Sequence, residues 1–290
     1  MTSRWVLGAR PRTLPAAVVP VLVGTAAAVG EPGGGIVWWR FGAAMVVALA
    51  IQIATNYVND YADGVRGTDD HRVGPVRLVG SGLASASEVR LAAGVSALVA
   101  GVAGLALAVA VGPEVLVVGV ASFLAGYLYT GGPKPYGYLG LGEVFVFVFF
   151  GVVATVGSAY VQLDRITGFA LGASVPVGLL ATALLVVNNL RDIPTDGRSG
   201  KRTLAVRLGD GGTRALYVSL VAGAFVLVPL LALRRPWALV ALLALPLAAR
   251  PMQRIAGGAT GMALIPVLGD TGRLQLVFGA LLALGLTVAG

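Results

Sequence analysis

The chain has no cysteine and only one histidine, His71. Without cysteine, disulfide bridges and thiolate chemistry are excluded, and a single histidine cannot build a histidine-rich metal site. Charge is also scarce, because Asp, Glu, Lys and Arg make up 12% of the sequence, about half the share of a typical soluble domain. So few charges cannot cover a surface that faces water. We therefore expect most of the side chains to face lipid.

What the sequence has instead is 57% hydrophobic residues, in long apolar runs that short polar stretches separate. A helix needs about 20 apolar residues to cross a bilayer, and the runs are continuous rather than alternating. We predict an all-α polytopic membrane protein with about nine transmembrane helices in one domain, 1–290. The predicted spans are 13–30, 38–58, 91–111, 114–130, 142–161, 168–189, 213–233, 237–250 and 273–289.

Basic residues are divided unevenly between the two ends of these spans. All lysines and arginines except Arg40, Arg165, Arg234 and Arg235 fall on the side of the N-terminus. The positive-inside rule predicts that this side is cytoplasmic. Most acidic residues fall there too, so we expect the chemistry at the cytoplasmic face of a cell (inner) membrane. The net charge of +8 then reflects topology, and we expect no nucleic-acid partner and no removable signal peptide.

The first of two acidic segments, 56–82, begins where the second predicted span ends. Asn56, Asp60 and Asp63 follow one another at i, i+4 and i+7, which is the spacing of one helical stripe. Carboxylates at this depth are unfavourable unless they are paired or bind a cation. Further polar residues of the segment are Asp69, Asp70, Arg72 and Arg77.

The second acidic segment, 188–209, repeats this arrangement. Asn189, Asp192 and Asp196 lie at i, i+3 and i+7, although Pro194 favours an end of the helix between the two aspartates. The bases of this segment are Arg191, Arg198, Lys201 and Arg202.

Both segments therefore join carboxylates with bases on one face of the membrane. Mg²⁺ prefers carboxylate oxygens and commonly bridges protein to phosphate, which lysine and arginine also bind. Together they indicate a site for Mg²⁺ and a diphosphate; the alternative is ordinary charge at helix ends. A third loop, 129–143, contains Lys134, which either reaches this site or belongs to a charged turn. The phenylalanines at 145, 147, 149 and 150 either pack against lipid and core or line a cavity for a chain or a cation.

Four stretches of the chain resemble the UbiA superfamily of intramembrane aromatic prenyltransferases, and within it the branch that acts on 1,4-dihydroxy-2-naphthoate in menaquinone synthesis. The resemblance implies helices around a central cavity that opens sideways to lipid. It also implies transfer of a prenyl group from a polyprenyl diphosphate to 1,4-dihydroxy-2-naphthoate, with loss of CO₂, to give demethylmenaquinone. The four stretches are RPRTLPAAVVPVLVG at 10–24, NDYADGVRGTDDHR at 59–72, YTGGPKPYGYLGLGEVFVFVFFG at 129–151 and NNLRDIPTDGRSGKRTLAVRLG at 188–209.

The same resemblance implies a role for particular residues. Asp60 and Asp192 are the implied catalytic residues. The implied Mg²⁺ ligands are Asp60, Asp63, Asp192 and Asp196, with Asp69 as a secondary candidate. The implied diphosphate contacts are Asn56, Arg72, Lys134 and Lys201. The first motif departs from the commoner superfamily spacing, which leaves open whether Asp63 or Asp69 completes the first metal site.

Three other functions are compatible with parts of this pattern. A related UbiA-type enzyme would use the same acidic segments with another acceptor, such as 4-hydroxybenzoate, a haem, a chlorophyll or a sugar phosphate. A transporter or channel would place its acids near the middle of the bilayer, in repeats with broken helices. A CDP-alcohol phosphotransferase would need an Asp-rich motif with Ala-Arg at set spacing, which the sequence lacks.

Overall fold

A computed structural model describes residues 3–67 and 76–288, and all regular secondary structure in these ranges is helical. Asp69 and Arg72 lie outside the described residues. The helices are α1 (Arg4–Ala9), α2 (Pro15–Val29), α3 (Trp38–Val65), α4 (Ala86–Val111), α5 (Glu114–Thr130), α6 (Gly142–Leu163), α7 (Gly168–Arg198), α8 (Leu204–Ala232), α9 (Pro236–Ala256) and α10 (Gly261–Val288).

Within the described ranges, seven helices are long and apolar enough to cross a membrane, namely α3, α4 and α6–α10. Helices α1 and α2, joined by a 3-10 turn and bent by 53°, form a further span if they are taken together. Helix α5 is apolar but has only 17 residues, near the lower limit of about 17 for a spanning helix. The predicted multi-span membrane fold is confirmed, and the count of nine spans stays a prediction.

Two helices extend beyond their predicted spans and thereby carry the acidic segments. Helix α3 continues seven residues past the predicted end at 58, so that Asp63 lies in its last turn. Helix α7 runs through Pro194 to Arg198, and the expected end between the two aspartates is wrong. Proline removes only one backbone hydrogen bond here, and the hydroxyl of Thr195 donates to the Asp192 carbonyl at 3.0 Å in the same turn. All acidic positions of α7 therefore belong to one helix.

Proline and glycine also shape α8 and α9. Helix α9 starts as a 3-10 segment, Pro236–Ala244, and becomes α-helical at Leu245, which places Pro246 in a first turn where its missing N–H is harmless. Helix α8 begins at Leu204, nine residues before its predicted span, and is kinked at Gly209, where φ is +69°. Such a φ favours glycine because it has no Cβ.

Helix α7 is the most buried of the long helices and forms the centre of the bundle, in contact with α2, α6, α8 and α10. Small residues permit close approach between these helices. A Cβ added to Gly24 of α2 would lie 2.1 Å from the Thr155 carbonyl oxygen of α6. A Cβ added to Gly151 would lie 2.4 Å from the Cα of Gly178 on α7. Gly151 belongs to a π-helical turn, Phe147–Val153, which shifts the register of α6 along the cavity described next.

Candidate active site

A cavity of about 1120 Å³ lies between α2, α3, α5, α6 and α7, and both acidic helix ends reach it. Four carboxylates line it, those of Asp63, Asp192 and Asp196 near the acidic helix ends and that of Glu114 at the start of α5. Its amide side chains are Gln52, Asn56, Asn59, Asn188 and Asn189. Its basic side chains are Arg10, Arg12, Arg77, Arg191 and Lys201. The structure thus brings the two predicted segments to one cavity.

The stripe of α3 that faces the cavity differs from the stripe expected from the sequence. Gln52, Asn56, Asn59 and Asp63 line the cavity, at i, i+4, i+7 and i+11. Asn59 is not among the residues that the sequence predicts for the site, although its position four residues before Asp63 places both on one helical face. Its side-chain Oδ1 accepts a hydrogen bond from the Thr130 hydroxyl of α5, which fixes the end of α5 against α3.

Asp60 is fully buried and directs both carboxylate oxygens at backbone amides. It accepts from the Leu78 amide at 2.8 Å and from the Val79 amide at 3.0 Å. Asp60 is not on the cavity wall formed by the described residues. In this geometry it holds the segment that contains Arg77 against α3, and its expected roles as catalytic residue and metal ligand stay predictions.

Asp63 is the carboxylate of α3 that meets the second segment. Its Oδ1 accepts from the Lys201 ammonium at 3.0 Å and from the Tyr138 hydroxyl at 3.1 Å. Arg77 approaches its Oδ2 at 3.6 Å. The Lys201 ammonium also lies 4.7 Å from the centre of the Tyr138 ring. Side chains from three other segments of the chain therefore converge on this one carboxylate.

These contacts set the protonation of Lys201. Burial lowers the pKa of the Lys201 ammonium, but the Asp63 carboxylate raises it, and the resulting pKa is above the ordinary lysine value. Burial, followed by the charge of Asp63, also raises the pKa of the Tyr138 hydroxyl. At neutral pH the site therefore presents a lysine cation and a neutral tyrosine to any anion that enters the cavity.

The acidic end of α7 carries its own cation. Arg191 donates from Nε and Nη2 to the two carboxylate oxygens of Asp192, each at 2.8 Å. Both residues are buried and line the cavity. Asn189, one turn earlier, donates to Oε1 of the buried Glu143 at 2.8 Å, and Glu143 Oε2 has no hydrogen-bond partner in the described part of the chain. This contact fixes the side-chain amide of Asn189 at the cavity wall.

The predicted diphosphate contacts are placed differently from one another. Lys201 is on the wall, as described. Asn56 is buried and donates to the Ala9 carbonyl oxygen at 2.9 Å and the Thr13 hydroxyl at 3.2 Å, so it anchors the N-terminal segment that brings Arg10 and Arg12 to the cavity. Lys134 is exposed and is absent from the cavity wall that residues 3–67 and 76–288 form.

Aromatic rings line the cavity beside the acidic end. Tyr136 and Phe145 stack with their centroids 3.9 Å apart, and Phe149 continues the row 5.9 Å from Phe145. Phe150 lines the same cavity, whereas the Phe147 ring lies against Gly178 of α7. The phenylalanine run is thus divided, with three rings on the cavity and one in the helix packing.

The carboxylates at the acidic end are suited to Mg²⁺ that is bound partly by substrate and water. They are less suited to an ion that protein side chains alone would hold. In the part of the chain that the structure describes, no three acidic or histidine side chains are grouped closely enough to hold an ion by themselves. Mg²⁺ is usually bound through one or two carboxylates together with water and substrate phosphates. Asp63, Asp192 and Asp196, with cations around them, are compatible with that mode of binding.

Solved structures share this fold. A UbiA homolog from Archaeoglobus fulgidus bound to GPP and Mg²⁺ matches 97% of this chain and 99% of its own, with a TM-score of 0.69 and 15% identity. The apo structure of a UbiA homolog from Aeropyrum pernix K1 matches 94% of this chain and 97% of its own, also with a TM-score of 0.69, at 16% identity. At these identities the likeness concerns the fold alone.

Relatives with higher sequence identity extend the comparison beyond the fold. The 1,4-dihydroxy-2-naphthoate octaprenyltransferase of Mycobacterium tuberculosis is 51% identical over 281 residues, which cover 97% of this chain and 96% of that protein. The enzyme of the same name from Escherichia coli is 35% identical, over 98% of this chain and 95% of its own. The model of the UbiA prenyltransferase family matches residues 17–256. The chain belongs to the UbiA prenyltransferase family.

Proposed function

We propose that this protein transfers a polyprenyl group from an allylic polyprenyl diphosphate to 1,4-dihydroxy-2-naphthoate, with release of diphosphate and CO₂. The observation that carries the proposal is the meeting of Asp63 and Lys201, 3.0 Å apart, on a cavity that Asp192 and Asp196 also line. Carboxylates and cations at one end of an apolar cavity match a substrate with a charged head and a hydrocarbon chain. The name shared by the mycobacterial and E. coli relatives supports the naphthoate acceptor.

The charged head of the donor fits the acidic end of the cavity. Bound Mg²⁺ supplies positive charge that stabilises the leaving diphosphate. We assign Asp63, Asp192 and Asp196 to hold the ion, because these carboxylates line the cavity. Lys201 and Arg191 are placed to donate charge-assisted hydrogen bonds to diphosphate oxygens, since both are cavity-lining cations.

The reaction needs few further groups from the protein. The allylic C–O bond breaks, its electron pair leaves with the diphosphate, and the ring carbon that bears the carboxylate of the acceptor forms the new C–C bond. Loss of CO₂ restores the aromatic ring, so no general base is required and the immediate product is the hydroquinone. An external two-electron acceptor such as dioxygen then oxidises it to demethylmenaquinone. The rings of Tyr136, Phe145 and Phe149 line the cavity, where π electrons stabilise a nearby cationic carbon, and the apolar walls exclude the water that would capture it.

We also propose that the acidic end faces the cytoplasm at the cell membrane, as the distribution of basic residues predicts. The absence of cysteine makes this directly testable, because a single introduced thiol reports its own side. A thiol at the exposed Gly197 should react with an impermeant maleimide only after cells are opened, whereas one at the exposed Arg165 should react in intact cells. The reverse pattern would contradict the orientation.

The function is tested by incubating the purified protein with Mg²⁺, a polyprenyl diphosphate and either 1,4-dihydroxy-2-naphthoate or 4-hydroxybenzoate. We expect a prenylated, decarboxylated naphthoate product that disappears with chelator and with Asp192→Ala. If product forms with 4-hydroxybenzoate and not with 1,4-dihydroxy-2-naphthoate, the protein uses a different aromatic acceptor from the one proposed. Turnover of neither acceptor by wild-type protein would contradict prenyl transfer to these aromatic acids.

A further inference from the structure

The cavity is much larger than its acidic end requires. Helix α5 lines it from Thr130, beside the acidic end, to Glu114 at the opposite end, a length of about 24 Å at 1.5 Å per residue. Beyond the aromatic rings its walls are mostly aliphatic, with Val115 and Val118 from α5 and Val153 and Val156 from α6. A volume of about 1120 Å³ slightly exceeds the range of about 300–1,000 Å³ that is usual for small-molecule pockets.

Helices α5 and α6 face each other across this apolar part. Helix α5 packs on α3 and α4, and α6 packs on α2 and α7. These neighbours fix the positions of α5 and α6 on either side of the space between them. At the end far from Asp63, Asp192 and Asp196, the Tyr160 hydroxyl of α6 donates to Glu114 Oε1 of α5 at 2.6 Å. Both residues line the cavity, so this polar pair marks its far end.

Two glycines keep the apolar part of the cavity wide. Gly119 of α5 and Gly157 of α6 both line it, and a Cβ added to either would meet no atom within 4 Å. Close helix packing therefore does not account for them, in contrast to Gly24 and Gly151. Glycine inside a helix is less favourable than alanine, so a side chain at either position would favour the helix and fill the cavity.

We propose that the space between α5 and α6 holds the distal isoprene units of a long prenyl donor, and that Gly119 and Gly157 determine how long a chain the enzyme accepts. The inference rests on the proposed function, because the diphosphate at the acidic end fixes where the chain starts. From there an apolar chain follows the aliphatic walls toward the Tyr160–Glu114 pair. A short donor ends before it reaches the glycines, whereas a long donor must pass them.

The test compares geranyl diphosphate with octaprenyl diphosphate in the full-length protein, with Mg²⁺ and 1,4-dihydroxy-2-naphthoate. In Gly119→Leu and Gly157→Leu we expect kcat/KM for the octaprenyl donor to fall by about tenfold or more, with geranyl kcat/KM within about twofold of wild type. The matched control is Gly101→Leu on α4, where the glycine is exposed, away from the cavity, and an added Cβ also meets no atom. Equal losses for both donors, or no loss for either, would overturn the proposal.

Donor binding measured by calorimetry without acceptor separates this inference from the proposed function. Weaker binding of the octaprenyl donor alone in Gly119→Leu supports the chain site even if the wild-type protein makes no naphthoate product. Unchanged binding of both donors overturns the chain site even if product is formed.

Discussion

Both ends of the helical bundle bury arginine, but they use it in different ways. At the acidic end Arg191 and Arg77 contact Asp192 and Asp63, carboxylates that line the cavity. At the opposite end Arg235 donates to two backbone carbonyl oxygens at the end of α2, at 3.1 and 2.9 Å. A cation paired with a cavity carboxylate can exchange that partner for a ligand, whereas a cation bound to carbonyl oxygens belongs to the fold. We therefore expect substitutions at the first end to change activity and those at the second to change stability.

The largest effect on activity is expected for Asp63→Asn. The substitution removes the charge on which Lys201, Tyr138 and Arg77 converge, while keeping the size of the side chain. We expect turnover to fall by about 10³-fold, comparable with the loss of one strong electrostatic contact in an active site. The assay is product formation under saturating substrates. The control is Asp210→Asn, an exposed aspartate that pairs with Arg214 of its own helix, and near-wild-type turnover of Asp63→Asn would contradict the assignment.

A smaller effect on activity is expected for Arg191→Lys. Lysine keeps the charge but cannot form the two parallel hydrogen bonds that Arg191 makes to Asp192. We expect kcat/KM for the donor to fall by about 10- to 100-fold, because Asp192 loses its orientation. Arg198→Lys is the control, since Arg198 lies in the same last turns of α7 but is exposed. An equal loss in both variants would show that the bidentate contact has no special role.

At the opposite end, Arg235→Met should lower stability and leave activity intact. Arg235 is buried, contacts Glu31 at 3.5 Å and lies over the Phe169 ring at 4.1 Å. Burial lowers the pKa of the Arg235 guanidinium, and the Glu31 carboxylate offsets only part of this effect. The charged form of Arg235 therefore depends on its partners for stabilisation. Its removal leaves carbonyl oxygens and Glu31 without their cation, which costs about 3 kcal/mol in comparable buried pairs. A lower melting temperature in detergent, with unchanged KM at permissive temperature, is expected; a changed KM for the donor would break the comparison.

The smallest effect is expected from pH at Lys201. The pKa of Lys201 in the folded protein is above the ordinary lysine value. The stabilisation that the Lys201–Asp63 ion pair gives to the folded site is therefore fully present below the ordinary lysine pKa, and it is lost only as pH rises through the raised pKa. KM for the donor should therefore stay flat from neutral pH to about pH 10, close to the ordinary lysine pKa of about 10.4. The measurement is a pH profile of KM in wild type and Lys201→Arg. A rise in wild-type KM between pH 7 and pH 9 would contradict the described electrostatics.

The sequence predicts the membrane-spanning character well because apolar runs are a local signal. The run that begins at Trp38 and the run that begins at Gly168 both start helices at those residues. Helix ends are less predictable, since α3 and α7 continue into polar sequence where the cavity supplies partners for their side chains. Pro194 illustrates the limit, because its local preference against helix is outweighed by the packing of α7 at the centre of the bundle.

The candidate site is predicted in outline, but the facing of individual side chains is not. Periodicity puts Asn56, Asp60 and Asp63 on one broad face of α3, but successive residues differ by about 100° around the helix, so some of these side chains lie at the edge of that face. Asp60 is at this edge. It faces the Leu78 and Val79 amides instead of the cavity, and Asn59 lines the cavity in its place. Contacts between distant segments, such as Asp63 with Lys201, are set by the tertiary fold and have no local signal.

We propose that Asp63 of α3 and Asp192 of α7 act on one metal-bound diphosphate. A double-mutant cycle on Mg²⁺-dependent binding of geranyl diphosphate, measured by calorimetry, tests it most directly. We predict that Asp63→Asn and Asp192→Asn each weaken binding strongly, and that the double variant binds little worse than either single variant. Losses that simply multiply in the double variant would mean that the two carboxylates serve separate sites, which would contradict the account.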